Sequence, residues 1–282
     1  MIAQGADIHS EGGTRFKGII RRASSPGKPL VTVIVVVFNR EKDIKQCLES
    51  VVRQSHANME IIVIDGGSTD RTLEYIKRYE DRIDYWHSGA DSGIYDAMNK
   101  GIERSGGDWI YILGADDTLL CDIERTAAFF KDSETIYYGN VLLRNSNVFY
   151  DGEFTRYKLA RRNICQQAIF YPKTVFRRYK FNLTYPILAD WDLNMRCRKD
   201  NEIKYSFIPV TIALYNDTAG VSTRKRDVRY YEDYLRLVKE YFPFWIFALV
   251  FLRQKAVILL SRMGLAKYVE KLFLKYDGNP LK

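Results

Sequence analysis

Between residues 30 and 114 the spacing of apolar residues switches repeatedly between two periods. Residues 30–38 read LVTVIVVVF, with one polar member, which predicts a strand buried on both faces and hence central in a sheet. After Asn39 the apolar residues Ile44, Cys47, Leu48, Val51 and Val52 recur at helical spacing and make a single stripe. The alternation continues with a strand over 60–64, a helix over 69–79, a strand over 83–87, a helix over 93–104 and a strand over 109–113. Strands and helices in this order predict a mostly parallel sheet wrapped by helices. Beyond Asp122 the pattern weakens to a helix over 122–131, a strand-like run over 136–143 and an apolar stretch over 164–171. The run 190–196, DWDLNMR, then reads as a helix start, because aspartates favour the positive N-terminal end.

Acidic residues follow two of the apolar runs. Asp65 ends IIVID, and Asp116 and Asp117 follow WIYIL after only Gly114 and Ala115. In an open α/β sheet, ligands collect at the carboxyl ends of the strands, so these exits can converge on one crevice. Taken alone, residues 65–70, DGGSTD, read equally as a turn plus helix cap and as a site. Asp116 and Asp117 are more demanding, since adjacent like charges destabilise each other unless a cation or strong donors offset them. No G-x-G-x-x-G follows the first strand and no G-K-[ST] follows any strand, which leaves dinucleotide and P-loop sites unsupported.

Composition narrows the partners. The 282 residues suit one large α/β domain with appendages, and 46% hydrophobic with 28% charged residues excludes wholesale disorder. A net charge of +8 calls for an anionic partner: nucleic acid, a membrane surface or a phosphorylated substrate. Nucleic acid ranks last, because the basic residues are dispersed or flank apolar blocks and no recognised motif occurs. Cys47, Cys121, Cys165 and Cys197 form no C-x-x-C pair, so neither zinc nor a disulfide framework is expected, and a reducing cytosol is the simplest compartment. His9, His56 and His87 belong to no constellation.

Residues 1–28 lack the apolar core of a signal peptide and read as a flexible tail. At the other end, the apolar block 242–252 is broken by Arg253, Gln254 and Lys255. At eleven residues the block is shorter than the roughly 20 a spanning helix needs. Trp245, several phenylalanines and the flanking Arg253, Lys255, Arg262, Lys267, Lys271 and Lys275 match a helix lying in the plane of an anionic membrane. A helical pair packed on the domain, or in a homodimer, is the alternative.

With these residues in hand, the chain resembles the family 2 glycosyltransferases of GT-A fold. The likeness rests on VTVIVVVFNR at 31–40, EIIVIDGGSTDRT at 60–72, DSGIYDAMNKGI at 91–102, GDWIYILGADD at 107–117 and ADWDLNMR at 189–196. The fold implied is α/β, with a mostly parallel central sheet flanked by helices. A Rossmann-like nucleotide-sugar-binding half over 29–120 and an acceptor half over 121–222 would make up the GT-A domain, followed by a basic, aromatic helical extension over 223–282. The resemblance is greatest to non-processive bacterial enzymes of O-antigen, capsule or exopolysaccharide synthesis.

Carried over by position, the resemblance implies that Phe38 and Asn39 line the nucleotide pocket and that Asp65 accepts a hydrogen bond from the base, as it would from the imide N–H of a uracil. Asp91, Gly93, Asp96 and Asn99 would lie along the ribose and diphosphate. Asp116 falls at the metal position with Asp117 beside it, for Mn²⁺ or Mg²⁺ against the diphosphate of a donor expected to be UDP-linked. Asp190 falls at the general base of an inverting displacement, with Asp192 the alternative base. Gln166 and Gln167 stand where many relatives carry His-Gln. Trp191 stacks on an acceptor sugar or is core, and Arg224, in a basic cluster with Lys225 and Arg226, closes over the diphosphate or is a solvated run. Gly114 replaces an acidic residue two places before Asp116, which leaves one protein carboxylate for the metal, and the Q-x-x-R-W of processive relatives is missing after Asp192. The acceptor implied is a polyprenyl-diphosphate saccharide, met by an enzyme peripheral on the inner face of the cell membrane. The competing readings are a nucleotidyltransferase of related fold, disfavoured by the lack of Gly at 38–41, and an inactive nucleotide-sugar fold serving as an assembly partner.

Overall fold

A computed structural model describes residues 10–18, 24, 25, 27–56, 58–218, 226–263 and 265. Continuous apolar runs make the middle of the sheet. Strands β2 (Val31–Val37) and β3 (Met59–Asp65) are buried along their whole length, as runs without alternation require, and β5 (Trp109–Gly114) is buried except at its end. They lie in the parallel order β4-β3-β2-β5, with β4 spanning Tyr85–Ser88. Helices α1 (Ile44–Val52), α2 (Thr72–Arg78) and α3 (Ile94–Arg104) are the crossovers. Helix α1 turns inward the five apolar residues picked out by their spacing. Helix α2 is shorter than the expected 69–79, because the Asp70 carboxylate accepts from Thr72 N at 3.0 Å and organises a turn ahead of it.

The sheet then continues past β5 through β9 (Ile169–Pro172), β7 (Thr135–Leu143), β10 (Lys204–Tyr215) and β6 (Thr118–Leu119), with the two-residue β8 (Phe149–Tyr150) beside β7. Strand β9 is antiparallel to both β5 and β7, so the apolar stretch expected over 164–171 joins the two halves of the molecule. Helices α4 (Ile123–Ala127), α5 (Arg156–Arg161), α6 (Lys173–Arg178) and α7 (Ala189–Lys199) complete the second half.

Two expectations change at the termini. Within the expected tail over 1–28, Ser10–Gly12 forms β1, antiparallel to β4, and Thr14 N and Arg15 N donate to Ile83 O and Asp84 O at 2.9 and 3.1 Å. Arg15 then pairs with Glu60 at 2.5 Å, which pins this segment to the edge of the sheet. Residues 1–9 and 19–23 lie outside the described residues. At the C-terminal end, α8 (Val228–Tyr241) and α9 (Phe244–Arg262) form a helical pair. The apolar count that stopped at Arg253 understated α9, which continues for 19 residues, about 28 Å, and is long and apolar enough by length and composition to cross a membrane. Helix α9 buries Ile246 and Val250 against the body and exposes Phe244, Trp245, Leu249, Leu252, Ile258 and Leu259. Lys267, Lys271 and Lys275 lie outside the described residues, as do Arg224 and Lys225.

Candidate active site

The strand order reverses at β2, which has β3 on one side and β5 on the other, and open α/β sheets bind ligands at such a point. Register pairs Val37 with Asp65 and Val36 with Gly114, so the three strand exits are level. The loops after β2 and β3 are laced together. Asn39 N donates to Ser68 Oγ at 2.7 Å, Thr69 N to Asn39 Oδ1 at 2.8 Å, and Arg40 N to Thr72 Oγ1 at 2.8 Å. Asn39 adopts φ 50°, a left-handed conformation that Asn tolerates better than most residues. The lacing leaves the Phe38 ring 58% exposed at the mouth of the crevice, a platform for a flat ligand.

Asp65 is fully buried and accepts from Ser68 N, Ser68 Oγ and, at 2.6 Å, Ser88 Oγ, its register neighbour on β4. A carboxylate offers about four lone-pair sites, so these donors hold it rigidly and leave room for roughly one more. The turn reading of Asp65 is therefore realised in the geometry and does not compete with a binding role. A Cβ at Gly66 would run into the Asp91 carboxylate and lie 3.4 Å from Phe38 Cδ2, so the glycine is what allows these two groups to meet beside Asp65. Asp91 Oδ1 accepts from Gly93 N at 2.8 Å, and burial pushes its carboxyl above the usual range. Gly93, at φ 121°, opens α3. Asp96, on that first turn, accepts from Ser92 N at 3.0 Å and pairs with Lys100 at 2.9 Å.

The two aspartates after β5 part company. Asp116 Oδ2 is a buried atom without a hydrogen bond, 3.2 Å from Arg40 Nη2, which is close enough for an ion pair but not aligned for a hydrogen bond. Asp117 points into the protein. Its Oδ1 accepts from Asn216 N and its Oδ2 from Gln167 Nε2, both at 2.8 Å. Burial first, and then the neighbouring Asp116 charge, push the Asp117 carboxyl up to about 7. Both oxygens of Asp117 thus already accept hydrogen bonds within the fold, which sets it apart from Asp116 in the expected metal pair. Among the described residues, no group of three or more His, Cys, Asp or Glu could hold a cation. Asp116 Oδ2, which accepts no hydrogen bond and faces the Arg40 guanidinium, fits a metal that takes one carboxylate and completes its shell with phosphate oxygens and water, as Mg²⁺ commonly does.

Asp190 lies in the first turn of α7 and is 8% exposed. Its Oδ1 is 2.7 Å from Tyr95 Oη, and its Oδ2 accepts from Asn163 Nδ2 at 2.7 Å. The single Tyr95 proton is shared between Asp190 and Ile187 O, also at 2.7 Å. Burial pushes the Asp190 carboxyl up to about 6, against the pull of these donors. Since Tyr95 belongs to the turn opened by Gly93, Asp190 on α7 is tied to the strand exits that carry Asp65 and Asp91.

Other candidates are placed elsewhere. Trp191 is core: its Nε1 donates to Leu159 O at 2.8 Å and its ring stacks on Tyr230 at 5.3 Å, which removes it as a sugar platform. Asp192 is buried and bonded to Arg196 at 2.9 Å, whereas the side chains that meet Asp190, Tyr95 and Asn163, are neutral. Both ends of the Asn99 amide serve the Phe181 backbone, at 3.0 and 3.1 Å, so this residue anchors the loop before α7. Gln166 is buried, whereas Gln167 reaches Asp117. Sequence reading missed Tyr95, Asn163 and Arg40. Arg40 was visible inside the VTVIVVVFNR run, but the other two carried no signal of their contact with Asp190.

A profile of glycosyl transferase family 2 matches residues 32–196, more than half of the chain. The chain belongs to this family, its architecture is GT-A, and glycosyl transfer is its class of activity. A PGL/p-HBAD biosynthesis glycosyltransferase of Mycobacterium bovis is 36% identical over 203 residues, which cover 69% of this chain and 79% of the relative. Among solved structures, Staphylococcus aureus TarS 1–349 in complex with UDP superposes with a TM-score of 0.59 at 19% identity, over 74% of this chain and 64% of TarS 1–349. The mannosyltransferase PcManGT of Pyrobaculum calidifontis, in complex with GDP-Man and Mn²⁺, superposes with a TM-score of 0.65 at 15% identity, over 87% of this chain and 76% of that one. At these identities the structural likenesses speak for the fold.

Proposed function

We propose that this chain is an inverting, non-processive glycosyltransferase that moves a sugar from a UDP-linked donor to a hydroxyl of a lipid-linked saccharide in bacterial surface polysaccharide synthesis. The observation that carries the reading is Asp190, a nearly buried carboxyl brought to about 6 and tied through Tyr95 to the donor half. In a single displacement, the acceptor oxygen attacks the anomeric carbon while the bond from that carbon to the diphosphate oxygen breaks. Asp190 takes the acceptor proton, and the nucleoside diphosphate leaves with the bonding electrons. Phe38 stacks on the base, the remaining acceptor site of Asp65 takes its N–H, and Asp91 lies along the ribose. Asp116 would hold Mn²⁺ or Mg²⁺, whose charge when bound offsets the negative charge gained by the leaving diphosphate. Arg40, already against Asp116, is the protein's own cation for that diphosphate.

The apolar outer face of α9 supports a peripheral place on an anionic inner membrane surface, where a polyprenyl-diphosphate acceptor would be held. Arg253 and Lys255, in the middle of α9, favour lying in the interface over crossing it. Thermal stability in the presence of UDP and GDP, each with and without Mn²⁺, tests the donor reading. A nucleotide at about 100 times its Kd stabilises by roughly 2.7 kcal/mol. A Mn²⁺-dependent shift with UDP, lost in Asp116→Ala, is expected, and a shift with GDP alone would reassign the base.

A further inference from the structure

Asp190 sits at the end of a chain of buried polar groups whose direction can be worked out atom by atom. A carboxylate only accepts, so Asn163 must turn its NH₂ to Asp190 Oδ2, at 2.7 Å. That leaves Asn163 Oδ1 to accept, and Asn194 Nδ2, one turn along α7 from Asp190, donates to it at 2.9 Å. Asn194 Oδ1 in turn accepts from the Tyr171 hydroxyl at 2.9 Å. Tyr171 has then used its only proton, so the Gln166 amide, with an oxygen 3.4 Å from Tyr171 Oη and a buried NH₂ lacking any partner, is satisfied when rotated to donate to Tyr171. Each group is fixed by others: Tyr150 Oη donates to Asn163 O at 2.7 Å and Tyr205 Oη to Asn194 O at 2.9 Å. Tyr171 and Asn194 are fully buried.

We propose that Gln166, Tyr171, Asn194 and Asn163 form a one-way hydrogen-bond relay that aims the Asp190 carboxylate and favours its anion, making Asn163 a positioning residue for glycosyl transfer. The proposal rests on Asp190 being the base. Donors aligned head to tail polarise one another, so the last N–H in the series is a stronger donor than an isolated amide. The other titratable groups facing Asp190 are Tyr95 from α3, Cys165 from the segment before β9, Tyr171 from β9 and Tyr230 from α8. Burial raises all four, so at neutral pH they are uncharged. Asp192, on the same helix, is neutralised by Arg196. Beside the Asp190 and Trp191 backbone N–H groups at the start of α7, which also donate to this carboxylate, the amide relay is the side-chain route by which the second half of the protein acts on it.

The test reads Asp190 directly, by carboxyl ¹³C NMR of the full chain labelled at aspartate, with the resonance assigned by its loss in Asp190→Asn. Asn163→Ala should move the titration midpoint up from about 6 by roughly one pH unit, the size expected for losing a hydrogen bond to a charged group. Tyr171→Phe, which keeps the ring packing, should move it the same way by less. The double variant should move no further than Asn163→Ala, since the relay is already cut at its last link. An unmoved midpoint in Asn163→Ala, or a full extra displacement in the double variant, overturns the relay. Should Asn163→Ala not fold, Tyr171→Phe decides alone, and an unmoved midpoint there overturns the proposal. Glycosyl transfer surviving in Asp190→Asn would overturn the base assignment instead, and the midpoints would still decide whether the relay exists.

Discussion

Gly101 is where α3 touches the sheet, and replacing it by alanine tests the packing that carries Tyr95 to Asp190. A Cβ at Gly101 would lie 2.5 Å from Ile34 Cγ2 and 3.3 Å from Ile64 Cγ1. Both isoleucines are buried on the central strands, so neither has room to yield. Two effects oppose each other: alanine gains about 1 kcal/mol of helix propensity over glycine, whereas overpacking a tight core costs about 1–3 kcal/mol. Ile34 Cγ2 branches from the Cβ of a β2 residue and is not the end of a flexible chain, so the overpacking cost should fall in the upper part of that range, about 2–3 kcal/mol, and the overlap should win with a net loss of about 1–2 kcal/mol. For a chain of this size that is roughly a 2–8 °C fall in Tm. Because Tyr95 rides on the same helix, a 1 Å displacement of α3 should also lower transfer activity by up to about 100-fold. Ile34→Ala removes the colliding methyl. It should itself cost about 2–5 kcal/mol, and the double variant should lose at least about 1 kcal/mol less than the sum of the singles. The measurement is urea denaturation of the four proteins. A neutral or stabilised Gly101→Ala, or strict additivity with Ile34→Ala, would refute the steric argument.

Three further outcomes follow from the site. Asp190 must be ionised to accept a proton and its carboxyl lies at about 6, so kcat/KM should fall as pH drops through that value. The value at pH 5 should be roughly tenfold below that at pH 7, with Asp190→Asn down about 10²- to 10⁴-fold; a flat profile over this range would count against the base assignment. Asp116→Ala should abolish the Mn²⁺-dependent part of nucleotide stabilisation, whereas Asp117→Asn should keep it, because both Asp117 oxygens already serve Asn216 and Gln167; equal loss in the two variants would restore the paired-ligand reading. Replacing Trp245 and Leu252 together by serine should weaken sedimentation with anionic vesicles at least about tenfold and leave UDP-induced stabilisation unchanged, whereas unaltered sedimentation would point to a protein partner for α9.

Local sequence determined the first half of the fold because its signals are local. Strands β2, β3 and β5 are legible as continuous apolar runs, since a strand covered on both faces has no polar side to show. Helix α1 is legible because five apolar residues repeat at one spacing. The same reading, joined to the family likeness, brought Asp65, Asp116 and Asp190 forward as candidates.

Tertiary structure decided what depends on residues far apart in the chain. Asp116 and Asp117 are alike in sequence, and only the approach of Gln167 and Asn216 turns one inward and leaves the other beside Arg40. Ser10–Gly12 reads as polar tail until β4 offers it an edge. Trp191, beside the candidate base, became core once Tyr230 on α8 stacked on it. Tyr95 and Asn163 stand 95 and 27 residues from the aspartate they hold. No periodicity encodes such a meeting, because a hydrogen bond between distant residues exists only after the sheet and its crossovers have closed the chain between them.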